Sequence, residues 1–138
     1  MEFISHLQCS KCGKKANYDT VWNTCPVCFK PFVVIYDLKK LKKSLKKEDL
    51  KNREPTVWRY HELLPLLDPA YRLCLGEGFT PLIHARRLGQ TIGHADLFIK
   101  DESCNPTGSI NPRGMAVAVS SAKELGIKHV SVPSLGNA

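Results

Sequence analysis

The chain has 138 residues, 43% of them hydrophobic and 24% charged, which suits one ordinary globular domain or two small ones rather than a disordered chain. Its formal charge is +7, no apolar run reaches the length of a membrane-spanning helix, and Met1 to His6 hold no secretory core. A membrane protein is therefore not expected, and a cytoplasmic one is.

The first element is set by cysteines. Cys9, Cys12, Cys25 and Cys28 are spaced C-x2-C-x12-C-x2-C. Each C-x-x-C places two thiolates on one tight turn, and two such turns facing each other make a tetrahedral site for Zn²⁺. Gly13 follows the first pair, where such a turn favours positive φ, and Pro26 stiffens the second. The stretch Asn17 to Trp22 reads as short strand material, and Phe32 to Tyr36 as a closing strand. Residues 1–36 are thus expected to form a zinc ribbon. Four cysteines fill the coordination shell, so the metal is expected to hold shape rather than to react. Two disulfides are the competing reading, and the lack of an export signal argues against them. Cys74 and Cys104 are expected to be buried free thiols.

Residues 37–57 follow as a lysine-rich helix and linker. Seven lysines lie between Lys39 and Lys51, and Leu38, Leu41 and Leu45 recur at helical spacing between them. A thin apolar stripe on a wet helix is the expected reading. A nucleic-acid patch is the alternative, but no aromatic residue lies between Lys39 and Arg53 to stack on a base.

Residues 58–138 open on the apolar segment Trp58 to Pro65 and then take an α/β rhythm. Asp96 to Lys100 reads as a strand, Asn105 to Ser109 as a polar loop, and Arg113 to Leu125 as a helix with Gly126 at its C′ position. Asn111 and Pro112 suit an N-cap and a first helical position. Lys128 to Pro133 reads as the next strand, closing a right-handed parallel strand–helix–strand unit. One such unit leaves a sheet face uncovered, so this region is expected to be incomplete.

Three ordered segments carry a family resemblance. Leu75 to Leu82 resembles the GEGxTPL segment of threonine synthases, Lys100 to Ser109 resembles their KxE-x2-NPTGS segment, and Ser134 to Ala138 resembles their SxGNA loop. Trp58-Arg59-Tyr60 and Leu64-Pro65 are similar to the family's lead-in, and some members carry an N-terminal zinc ribbon. The resemblance implies a pyridoxal-phosphate (PLP) enzyme of fold type II, with a parallel α/β sheet of which this chain holds the first part. It implies conversion of O-phosphohomoserine and water to threonine and phosphate, hence a small amino-acid substrate. By the same resemblance Asn137 would face the PLP ring oxygen, and Ser134 and Gly136 would hold the substrate carboxylate.

The family's Schiff-base lysine follows the NPTGS loop, as GSFKDRG. Here that stretch reads Gly108-Ser109-Ile110-Asn111-Pro112-Arg113-Gly114, so Asn111 occupies the lysine position. An amide neither condenses with an aldehyde nor acts as a base near neutral pH. No catalytic residue is therefore expected to be intact, and Lys100 is not an obvious replacement. Leu135 stands where the family has a small residue beside the cofactor. The phosphate-cradling glycine loop of the family does not follow within the sequence, and an inactive fragment is expected. A β-replacement enzyme such as a cysteate synthase or sulfhydrylase, and a zinc-ribbon module contacting nucleic acid or a partner protein, are the other readings. The sequence leaves the oligomeric state open.

Overall fold

The structure, a computed structural model, describes residues 3–134 and residue 136. Among the described residues it is a mixed α/β chain with two small sheets. The N-terminal sheet has the order β2-β1-β3, with β1 at Ile4–Cys9, β2 at Lys15–Ala16 and β3 at Phe32–Tyr36. Both pairings are antiparallel, with Leu7 opposite Ala16 on one side and Val34 on the other. Asn17 to Trp22 is not a strand but a run of bends and coil, for β2 ends at Ala16. Trp22 explains the path: its indole N–H donates to the Asn17 carbonyl at 3.0 Å, and its ring lies 5.5 Å from that of Phe32.

The lysine-rich segment is shorter than its pattern suggests. Helix α1 runs Leu38–Ser44 and a 3-10 turn follows at Lys47–Leu50. Asp37 caps α1 by accepting the Lys40 N–H at 2.9 Å. Leu41 is buried and Leu45 half-buried, but Leu38 is exposed, so the apolar stripe is narrower than expected. Crowded lysines repel along one face, and Lys46 and Lys47 carry that repulsion into the break.

The largest element is α3 at Asn111–Glu124. Its buried face meets Val57 and Trp58 through Ala116, with Leu64, Leu66 and Val117 around them. Polar side chains of α3 also fasten the preceding loop. Ser120 Oγ accepts the Leu73 N–H at 2.9 Å, Ser121 Oγ donates to the Pro65 carbonyl at 2.5 Å, and Glu124 Oε1 accepts the Leu67 N–H at 3.0 Å. Gly126 has φ +73 directly after the last turn, the left-handed C′ position its place in the sequence required. The helix begins one residue away from the sequence expectation. Asn111 is its first residue and Pro112 its second, while Ile110 takes the cap position. Ser109 supplies the hydroxyl that accepts the Asn111 N–H, at 3.3 Å.

The sheet of this part differs from the expected parallel one. Strand β4 (Leu82–His84) pairs antiparallel with β5 (Phe98–Lys100), joined through helix α2 at Arg86–Thr91. Residues 128–134 form no strand, so the parallel strand–helix–strand unit is not made among the described residues. Val130 and Val132 remain 57% and 47% exposed. A lone strand has no ladder to complete, and apolar alternation cannot hold it straight without a neighbouring edge. No described helix is long and apolar enough to cross a membrane.

Candidate functional sites

Two turns built alike bring the four cysteines together. In the first, the Cys9 N–H donates to the Lys14 carbonyl at 2.8 Å and the Gly13 N–H returns to the Cys9 carbonyl at 3.2 Å. In the second, the Cys25 N–H donates to the Lys30 carbonyl and the Phe29 N–H to the Cys25 carbonyl, both at 2.9 Å. The residue after each pair has positive φ, +74 at Gly13 and +56 at Phe29. Glycine marks the first turn in the sequence; the second pays local strain for the same shape. All four sulfurs lie within 4.8 Å of one another, with Cys9 to Cys28 at 3.4 Å and Cys12 to Cys25 at 3.6 Å. Zinc–sulfur bonds of about 2.3 Å place tetrahedral ligand sulfurs about 3.8 Å apart, so the cluster fits one ion with small adjustments. The N–H groups of Cys12 and Lys11 hold the Cys9 thiol down to about 6, while burial and the Cys9 sulfur push Cys28 up to about 11. Such a cluster is poised to bind a soft or borderline cation and give up protons on doing so. Cys74 and Cys104 are both exposed, against the expectation of buried thiols. Each sits in a loop beside a polar partner, the Gly76 N–H and the Asp101 carboxylate respectively, so neither reaches a core.

The second site joins two of the three motif segments. Asn105 is buried and uses its entire amide. Its Oδ1 accepts the Gly78 N–H at 3.1 Å, and its Nδ2 donates to Glu102 Oε2 at 2.8 Å and to the Ser109 carbonyl at 2.9 Å. Glu102 in turn receives Arg113 at both oxygens, at 2.6 and 2.9 Å, and the Thr80 hydroxyl at 2.7 Å. The Lys100 ammonium donates to the Thr80 carbonyl. The result fixes the residue 75–82 loop, the residue 100–109 loop and the start of α3 in one geometry. Position 111, on the first turn of α3, presents an amide. Ser134 and Gly136 are exposed, and the Gly136 N–H donates to Ser134 Oγ at 3.0 Å. Asn137 lies outside the described residues. Sequence reasoning did not single out Glu102 and Arg113 as a pair; their separation matches no local motif, and only the fold makes them neighbours.

The arginine beside Glu102, and then the Thr80 hydroxyl, hold its carboxyl at about 2, below its ordinary 4.5. A carboxyl depressed in the folded state stabilises above pH 4.5 and loses that contribution as the pH falls from 4.5 toward 2. The wild type should therefore lose stability in that window, and Glu102→Gln should flatten the loss while weakening the fold at neutral pH. Denaturant midpoints of both proteins from pH 2 to 7 check this; parallel curves would contradict it.

Comparison with known proteins bears on both sites. A profile described as "Pyridoxal-phosphate dependent enzyme" matches residues 73–138. The chain is 42% identical over 130 residues to a threonine synthase of Methanocaldococcus jannaschii, covering 94% of this chain and 32% of that protein. It is 42% identical over 133 residues to a threonine synthase of Methanosarcina acetivorans, covering 96% of this chain and 32% of that one. A threonine synthase of Halalkalibacterium halodurans is 44% identical over 78 residues, 56% of this chain. The chain thus spans about a third of the length of the first two relatives. No solved structure gives a significant match.

Proposed function

We propose, from the premise that this chain is threonine-synthase-like along nearly its whole length, that it is the ribbon-bearing part of a PLP-dependent enzyme of fold type II. The reaction class is conversion of O-phosphohomoserine and water to threonine and phosphate. The carrying observation is the lock between motif segments: Asn105 on Gly78, and Glu102 on Arg113 and Thr80. These are the segments through which the chain resembles the family, and their mutual hydrogen bonds give the resemblance a physical purpose. It presents position 111 from a rigid helix start. The relatives' shared name favours this reading over a β-replacement enzyme.

When bound, PLP would supply an electron sink for carbanions formed on an amino acid. Ser134, Gly136 and Asn137 are the residues we assign to hold cofactor and substrate. Asn111 cannot bond the cofactor covalently or carry a proton near neutral pH, so the residues present do not fit a covalently held cofactor. This chain is accordingly proposed to be inactive. At the other end, Cys9, Cys12, Cys25 and Cys28 are proposed to hold one structural Zn²⁺ in a closed shell.

The test is borohydride trapping of the chain with PLP, followed by peptide mapping, beside a phosphate-release assay with O-phosphohomoserine. Scattered substoichiometric labelling of surface lysines and background phosphate release are expected. Stoichiometric labelling of one lysine, Lys100 above all, together with turnover would overturn the proposal.

A further inference from the structure

Away from both sites, a cavity of about 160 Å³ is lined by Arg53, Glu54, Trp58, Arg59, His61 and Arg72. That is room for about five waters. Three guanidiniums around so small a space repel one another, and the question is what balances them.

Arg53 is balanced. Its two terminal nitrogens meet both oxygens of Glu62 at 2.8 and 2.6 Å, and Nη1 also donates to the Arg59 carbonyl at 2.8 Å. Arg59 returns the contact, donating Nη1 to the Arg53 carbonyl at 2.8 Å. The two side chains therefore fix each other through the backbone. Arg59 has no described carboxylate partner; its guanidinium carbon lies 5.1 Å from the centre of the Phe79 ring. Arg72 is similar, 5.6 Å from the Trp58 ring, and its Nε is buried with no hydrogen-bond partner.

A guanidinium on a ring face spends its face and keeps its N–H edges. The Arg72 Nε is closed to solvent, so a ligand in the cavity would meet the terminal nitrogens of Arg72. His61 is engaged elsewhere, with Nδ1 3.3 Å from the Trp58 carbonyl and Nε2 3.5 Å from Glu62. With Arg53 neutralised by Glu62, the one carboxylate on this cavity's wall is that of Glu54, whose side chain is exposed. We propose that this cavity is a binding site for a small oxyanion of the phosphate class, held by the free edges of Arg59 and Arg72 over Trp58. Trp58 and Arg59 belong to the lead-in that resembles the family, but the inference stands apart from the proposed reaction, for neither they nor Arg72 take part in the lock of Gly78, Asn105, Glu102 and Arg113 that carries that reading.

The test is calorimetric titration of the full chain with inorganic phosphate at low ionic strength, with Trp58 emission followed in parallel. Saturable binding at one site is expected. Arg59→Gln and Arg72→Gln should each weaken it by about tenfold or more, as loss of a charge-assisted hydrogen bond implies. Glu54→Gln removes the competing carboxylate without touching the core and should tighten binding by about threefold. The double change of Lys42 and Lys43 to Gln, on α1, should leave affinity unaltered. Acetate in place of phosphate should bind more weakly. Non-saturable heats, an Arg72→Gln protein that binds as tightly as the wild type, an unchanged affinity in Glu54→Gln, or an equal loss in the lysine variant would each overturn the proposal.

Discussion

Removal of the metal expected at the four cysteines should unfold residues 3–36 and leave α3 helical. The ribbon has almost no core of its own. Its buried apolar residues are Cys9 and Cys25, both metal-ligand candidates, while Val33 is exposed and Trp22 and Phe32 pack at the edge. A structural zinc supplies on the order of 10–16 kcal/mol of apparent binding free energy in small ribbons and fingers, more than so small a sheet can draw from burial. Metal analysis should give one zinc per chain. A strong chelator at neutral pH should abolish the β-sheet signal of β1–β3 and shift Trp22 emission to the red. The helical signal of α3 should persist, since its contacts run to Trp58 and the 65–73 loop and not through the cysteines. Cys12→Ser and Cys28→Ser should behave as the chelated wild type. Acid should have the same effect, because thiolates must be kept deprotonated to ligate. A chelated protein with unchanged sheet signal would show that the ribbon stands on its strands alone.

The extent to which this architecture can be read from sequence follows from how local each cause is. The paired C-x-x-C turns are local, and the structure brings their sulfurs together. Helix α3 is nearly so, since Met115 to Ala122 and Gly126 carry its period and its end. The antiparallel β4–β5 pair was half legible: Asp96 to Lys100 reads as a strand, but Leu82–His84 is three residues long and starts on the last residue of a motif read for its resemblance. The reverse error concerns residues 128–133, which read as a strand although a strand also needs an edge to pair with. At the second site the sequence points to the loops and to Asn111. It does not point to the Glu102–Arg113 pair or to the arginine cavity, because both arise from residues brought together by packing. Cys74 and Cys104 make the same point in the other direction: a free cysteine tends to be buried, but these two lie on loops that the fold leaves at the surface.

Gly78→Ala should be severely damaging to residues 56–124. Gly78 has φ +103, outside the range an L side chain readily adopts. A Cβ there would lie 2.6 Å from the Val57 nitrogen and 2.9 Å from the Thr56 carbonyl carbon. Neither can retreat, because the Val57 N–H is bonded to the Glu77 carbonyl and Val57 belongs to the small core with Trp58 and Ala116. The Gly78 N–H is itself held by Asn105, so the loop cannot swing outward without breaking the lock between the motif segments. Backbone strain of about 1–3 kcal/mol and overpacking of about 1–3 kcal/mol act together here. Their sum is a large share of the 5–15 kcal/mol or so that holds an ordinary domain. Gly114→Ala is the matched control. That glycine lies in α3 with nothing within 4 Å of its would-be Cβ, so alanine should stabilise by about 0.5–1 kcal/mol through helix propensity. Urea unfolding followed by Trp58 emission reads both. Opposite shifts are expected, with Gly78→Ala near the threshold of folding; a Gly78→Ala midpoint equal to wild type would mean that the residue 75–82 loop does not hold the tight approach to Val57.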